Sequence, residues 1–211
     1  MLELAAIAST RCAVSPFPWA VVDGAIGSGA DLAALRDSFP FEAMRPIEAT
    51  RSDKSYRAMA AGLDRAFGRS LPPCWAELVA DLRGEDLRKA IGAQTGLSLT
   101  GPPSEITLWQ YDPGHFLTTH RDKETKQITF MVYLSSEAWS VEDGGCLSIL
   151  DSPYGTRPLA QVAPRGGRAV TLVRTPRSWH SVGIHRRSEP RLVVQAVWGV
   201  VSGPTSYSHA V

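Results

Sequence analysis

The chain has 211 residues, 44% of them apolar and 20% charged, with a net charge of +1. That composition can bury a core and excludes intrinsic disorder. The near-neutral charge, with no long basic run, excludes a general nucleic-acid binder. Cys12, Cys74 and Cys146 are far apart and form no C-x-x-C pair. This argues against a disulfide framework or a zinc ribbon and fits a reducing compartment.

The opening Met1-Leu2-Glu3-Leu4-Ala5-Ala6-Ile7-Ala8 lacks a basic start, carries an acid at position 3, and is too short in its apolar run for a signal peptide. No window approaches the ~18–20 apolar residues of a membrane span. A cytoplasmic protein with no membrane or nucleic-acid partner is expected. One domain over 1–211 is expected, with helical support over 1–100, a β core over 101–201 and a tail over 202–211.

Pro16-Phe17-Pro18-Trp19-Ala20-Val21-Val22-Asp23 reads as a proline-bounded lead into a short strand, broken by Gly24, Gly27 and Gly29. Ser28 is placed to cap a helix through about Phe39, with Leu32, Leu35 and Phe39 on one stripe. Ile47 to Tyr56 is polar and charged and reads as a loop or a lid. Pro72-Pro73 opens a helix with Trp75, Leu78, Val79 and Leu82 on one face, ended by Gly84. A second helix runs from Glu85 to Thr95, with a Glu85–Lys89 pair and Gly96 as its cap. These stripes predict packing against a sheet.

From about residue 104 the pattern changes to short strands and turns. Glu105–Tyr111, His115–His120, Gln127–Leu134, Cys146–Leu150, Arg168–Arg174 and Arg191–Val201 read as strands. Asp112-Pro113-Gly114, Glu142-Asp143-Gly144-Gly145, Pro153-Tyr154-Gly155 and Arg165-Gly166-Gly167 read as turns. Helices followed by seven or eight short strands predict an antiparallel sandwich or barrel with helices on one outer face.

The chemistry centres on His120-Arg121-Asp122, His180 and Arg191. A His-x-Asp triplet alone is commonplace. Here His120 and Asp122 share parity with Phe116 and Thr118, which places them on one strand face. His180 falls between the last two strong strands. Two imidazoles and a carboxylate leave open positions on a metal, the set that suits non-haem Fe(II) oxygenases. Arg191 heads the apolar strand Leu192-Val193-Val194, where an unpaired charge is costly to bury. A dicarboxylate would pair it. Thr129, Met131 and Tyr133 share a face, which brings the Tyr133 hydroxyl toward such a carboxylate. Arg121, between two ligands, is expected to point away.

This ordered set resembles the Fe(II)/2-oxoglutarate dioxygenases, and within them the prolyl-4-hydroxylase-like branch. The resemblance runs through Pro16–Asp23, Tyr111–Asp122, Phe130–Leu134, Trp139–Leu147, Pro164–Val182 and Glu189–Leu192, and covers residues 104–200 best. It implies an α+β, mainly β protein: a double-stranded β-helix, or jelly roll, with the N-terminal helices packed on one sheet. It implies that His120, Asp122 and His180 ligate Fe(II), that Arg191 and Tyr133 hold the distal carboxylate of 2-oxoglutarate, and that Tyr111 lines the pocket. It further implies O2 as co-substrate, ascorbate as an auxiliary reductant, and hydroxylation of an amino acid, peptide or prolyl residue with release of succinate and CO2. Related halogenases carry a small residue at the position of Asp122, so a carboxylate there implies an oxygenase outcome.

Three other readings stand beside this one. They are a hydroxylase of a small natural-product intermediate, a non-catalytic jelly-roll binding module, and a zinc hydrolase that would leave Arg191 unexplained. Trp198 lies seven residues after Arg191, one more than in the relatives, so a bulge or an outward face is expected there. His115 reads as a turn histidine, Cys146 and Trp139 as core, and His209 as part of the tail. His185-Arg186-Arg187 reads as a solvated loop or, with Arg174 and Arg177, a cluster steering an acidic substrate.

Overall fold

The computed structural model describes residues 1–51, 53–68, 70–155 and 157–199. The strands are β1 (Trp19–Val22), β2 (Arg45–Thr50), β3 (Ser55–Gly62), β4 (Glu105–Tyr111), β5 (Phe116–His120), β6 (Lys126–Tyr133), β7 (Leu147–Leu150), β8 (Ala160–Val162), β9 (Ala169–Val173), β10 (Trp179–Val182) and β11 (Arg191–Gly199). The helices are α1 (Leu4–Ser9), α2 (Gly29–Asp37), α3 (Leu63–Phe67), α4 (Pro73–Arg83) and α5 (Glu85–Thr95).

All pairings are antiparallel, in the order β1-β9-β6-β11-β4-β3-β5-β10-β7-β8, with β2 on the side of β3. β3 joins the two halves: Met59–Gly62 pair with β4, and Tyr56–Arg57 pair with β5. The halves face each other across an inner core of Met131, Tyr133, Leu172 and Val193 from one side and Leu147, Ile149 and Val162 from the other. This is the jelly roll, or double-stranded β-helix, and antiparallel strands rolled in this way leave few free edges.

The helices cover the outer face of the larger half, as their stripes require. Trp75, Leu78, Val79 and Leu82 of α4 and Leu87, Ala90 and Ile91 of α5 join Phe130, Val132, Leu192, Val194 and Ala196 in one core. Each large apolar side chain buried there contributes about 1.5–3 kcal/mol. Ser28 accepts from Asp31 N at 3.0 Å and caps α2, while Gly96 takes the left-handed conformation that ends α5. α1 is too short to persist alone. It is held by buried Ile7, whose carbonyl accepts from Gln94 Nε2 at 3.0 Å. Gln94 in turn accepts from Thr171 on β9 at 2.6 Å.

Two readings of the sequence are corrected. The segment from Ile47 to Tyr56 is no loop: its ends belong to β2 and β3, paired from Arg45↔Ala60 to Thr50↔Ser55. β2 is an edge strand with mostly exposed side chains, so it shows no apolar alternation; backbone pairing to β3 makes it a strand. The short helices α1 and α3 were also not anticipated. The last strand is described to Gly199, and the tail with His209 lies outside the described residues. No helix among the described residues is long and apolar enough to cross a membrane.

Candidate metal centre and co-substrate pocket

His120 ends β5 and His180 lies in β10, and the two are register partners. Their ring centroids are 4.3 Å apart. His120 Nδ1 contacts Thr118 O at 3.0 Å, and His180 Nδ1 contacts Ser178 O at 3.0 Å. A carbonyl only accepts, so each Nδ1 carries the proton and each Nε2 keeps its lone pair. Burial foremost, with His180 adding to it, lowers the His120 pKa to about 3. Burial likewise lowers that of His180, against the pull of Asp122. Both rings are therefore neutral at pH 7, as metal ligands must be.

Asp122 lies beyond the end of β5, and strand alternation does not place it. The pairing slips between His180↔His120 and Val182↔Leu117, so β5 carries one extra residue. Leu117 therefore lines the cavity with His120, whereas Thr118 faces outward and donates to Ser55 O at 3.1 Å. The shared parity of Phe116, Thr118 and His120 is corrected accordingly. Asp122 is instead held from β6, where Thr129 Oγ1 donates to Oδ2 at 2.8 Å and Lys126 Nζ to Oδ1 at 3.1 Å. Burial would raise its pKa. His180, Lys126 and the Thr129 hydrogen bond outweigh that and hold the carboxyl well below the usual range. The potential donor atoms of His120, Asp122 and His180 all lie within 4.8 Å of one another. Two neutral imidazoles and one carboxylate fit a divalent first-row ion.

Arg191 is the first residue of β11, only 2% exposed. It pairs in register with Tyr111 of β4, and Tyr133 of β6 is opposite Val193. The guanidinium carbon lies 4.7 Å from the Tyr111 ring centroid and 5.1 Å from that of Tyr133. Nη2 donates to Tyr133 Oη at 3.5 Å, while Nε has no partner. Among the described residues no carboxylate is paired with it. A buried guanidinium with an idle donor is costly unless an anion arrives. Gly145 lies beside it, and its φ of +64, in the left-handed region, is what calls for glycine; a Cβ there would make only an ordinary 3.4 Å contact with Arg191 Cδ.

Arg191 and the three clustered residues line one cavity of about 290 Å³. Its walls include Leu147, Leu172 and Val193. Sequence reasoning missed Thr129 as a support for Asp122, and it missed Arg51, Lys54, Lys123 and Lys126 at the mouth. These are lone polar residues, and nothing local signals their convergence.

The remaining residues separate cleanly. His115 Nδ1 accepts from Asp112 N at 3.0 Å within its turn. His185 is corrected from a solvated or steering residue. It is buried, stacked on Trp139 at 5.0 Å, and its Nε2 donates to Glu189 O at 2.8 Å. Arg187 is paired with Glu189 and Asp143, and Arg174 with Glu124. Arg121 lies over the Trp179 ring at 4.5 Å and donates to Pro176 O, away from the cluster. Trp198 belongs to the core under the helices, on the face opposite Arg191, and donates to Gly101 O at 3.2 Å. Cys146 and Trp139 are core residues.

A jelly roll carrying a two-histidine, one-carboxylate cluster beside a buried arginine has the architecture of a non-haem metal oxygenase. Residues 106–198 match the family model described as the 2OG-Fe(II) oxygenase superfamily. No curated protein matches the chain. Among solved structures, the chain is similar to a Pseudomonas putida prolyl-4-hydroxylase, with a TM-score of 0.62, 20% identity, and coverage of 93% of this chain and 97% of that one. It is also similar to a Trichoplax adhaerens prolyl hydroxylase in complex with a hypoxia-inducible factor peptide, with a TM-score of 0.60, 14% identity, and coverage of 94% and 87%. The non-haem α-ketoglutarate-dependent epimerase SnoN from nogalamycin biosynthesis gives a TM-score of 0.60 at 17% identity, with coverage of 92% and 81%. The matched segment takes in His120, Asp122, His180 and Arg191. Enzymes of the family that this model describes take Fe(II), 2-oxoglutarate and O2, and the His120–Asp122–His180 cluster fits the iron.

Proposed function

We propose that this protein is an Fe(II)- and 2-oxoglutarate-dependent oxygenase that hydroxylates a prolyl residue, another peptide residue or an amino acid, with release of succinate and CO2. In this reading His120, Asp122 and His180 hold the iron, and Arg191 binds the distal carboxylate of 2-oxoglutarate. The observation that carries it is Arg191: a buried guanidinium without a carboxylate partner among the described residues, in the same cavity as the cluster. Fe(II) with 2-oxoglutarate and O2 supplies the oxidising power for an unactivated C–H bond.

The chain's own part is binding, orientation and exclusion of water. Thr129 and Lys126 fix the Asp122 carboxylate, and the two backbone carbonyls fix the imidazole tautomers. Tyr133 offers a hydroxyl beside Arg191, and the Tyr111 ring packs against the guanidinium. Leu147, Leu172 and Val193 keep the walls apolar. The similarity in fold to prolyl hydroxylases supports a peptide or protein substrate.

The test is a screen of proline peptides and free amino acids for stimulated succinate release, followed by mass spectrometry for a product heavier by one oxygen atom. An anaerobic Fe(II)-loaded protein that develops no absorption band with 2-oxoglutarate would instead be a non-catalytic jelly-roll module.

A further inference from the structure

The mouth of the cavity holds more positive charge than its floor consumes. Arg51 and Lys54 come from the β2–β3 hairpin, and Lys123 and Lys126 from the start of β6 and the segment before it. Asp122 is the only carboxylate among the described lining residues. Lys126 is paired with it at 3.1 Å. A ferrous ion and 2-oxoglutarate carry equal and opposite charges, so loading the site does not neutralise the remaining cations.

Among the described residues no nearby acid is ion-paired with Arg51, Lys54 or Lys123. Glu124 is paired with Arg174, Asp53 is exposed, and Glu105 lies in the neighbouring hollow, where it accepts from Thr107 and keeps its charge. Lys54 is only part-exposed and forms no ion pair among the described residues; its ammonium lies 5.9 Å from the Tyr56 ring centroid. Burial lowers its pKa, against the pull of Asp53 and Asp122 and with smaller pushes the same way from Lys126 and Arg51.

A second hollow of about 440 Å³ adjoins the first and shares Lys54, Asp122, Lys123, Lys126, Trp109 and Gln195 with it. Lys54, Lys123 and Lys126 thus sit where the two hollows meet, with Arg51 on the first alone. Trp109 Nε1 is buried there without an acceptor. An idle N–H donor and an unpaired ammonium lining the same hollows describe an anion-binding shelf above the cluster.

We propose that the substrate carries a carboxylate that docks at this junction, against Lys54 with Arg51 and Lys123 around it, while its oxidisable carbon reaches down toward His120 and His180. This rests on the oxygenase reading above and adds the chemistry of the substrate to it. The cavity is at the small end of ligand pockets and must also hold the co-substrate. The part that enters is therefore compact. The carboxylate belongs either to a free amino acid or to an acidic residue next to the oxidised one in a peptide. The same cations raise the encounter rate with such an anion.

The test uses protein loaded with Zn(II) and 2-oxoglutarate, which binds without turnover. N-acetyl-L-proline is compared with its amide, and acetyl-Pro-Glu-amide with acetyl-Pro-Gln-amide, by NMR titration at low salt. In at least one pair the acid binds roughly tenfold tighter than its neutral partner. Lys54→Met reduces that preference, Lys54→Glu removes it, and Lys54→Arg retains it. The pair that responds identifies the source of the carboxylate. Equal affinity within both pairs, no binding by either acid, or a preference that survives Lys54→Glu overturns the proposal. Failure to load Zn(II) or 2-oxoglutarate at all would overturn the oxygenase reading itself.

Discussion

His120 and His180 are paired directly across β5 and β10, and each ring is locked by the carbonyl of the residue two positions before it. The pair is therefore pre-organised before any ion arrives. His180→Ala removes one donor of three. Its dissociation constant for Co(II), measured by calorimetry, should rise by about a hundredfold or more. Unchanged Co(II) affinity would rule His180 out as a ligand.

Asp122 depends on Thr129 for its orientation, through the 2.8 Å hydrogen bond. Thr129→Val keeps the shape and removes the donor. Metal affinity should fall by about ten- to a hundredfold, the usual cost of losing a partner that orients a ligand. Thr129→Ser should restore most of it. A valine variant with native affinity would mean that Lys126 alone suffices.

Arg191 is buried at a cost to the protein before the co-substrate binds. Replacing such a charge with an apolar side chain of similar size is often neutral or stabilising. Arg191→Met should keep or raise the melting temperature of the metal-free protein. In the metal-loaded protein, 2-oxoglutarate affinity should drop by about ten- to a hundredfold, in line with the loss of charge-assisted hydrogen bonds. Thermal-shift curves with and without 2-oxoglutarate read both effects. An Arg191→Met protein that still binds 2-oxoglutarate normally would reduce Arg191 to a structural residue.

His185 gives a pH dependence separate from the metal cluster. Burial foremost lowers its pKa, and Arg191 adds to this against the hydrogen bond to Glu189 O. The unfolded chain therefore takes up the proton first, near the ordinary value of about 6.5. The stabilisation is complete above that pH and is lost as pH falls toward the depressed folded value. His185→Phe retains the stack on Trp139 and removes the titration. Urea midpoints at pH 7.5 and pH 5 should lie closer together in the variant than in the parent. An identical pH slope in both would assign the acid sensitivity elsewhere.

The outline of the fold was readable because its signals are local. The α4 and α5 stripes, the caps at Ser28 and Gly96, and the glycine turns each act over a few residues. β2 was missed because an exposed edge strand is defined by its pairing with β3 and has no apolar period of its own. His185 was misread because its neighbours Arg186 and Arg187 look solvated, while Trp139 lies far away in sequence.

The sequence by itself determined the donor set, its order along the chain and the placement of an arginine at the head of an apolar strand. Residue type and spacing carry that information. The tertiary structure decided how those donors converge. An extra residue in β5 turns Leu117 and His120 to one side, and β6 reaches across to hold Asp122 through Thr129. It also decided that Trp198 packs under the helices and that four cations from separate parts of the chain line one cavity. Those outcomes depend on strand register and on which edges meet when the sheet rolls up, and no stretch of chain specifies them alone.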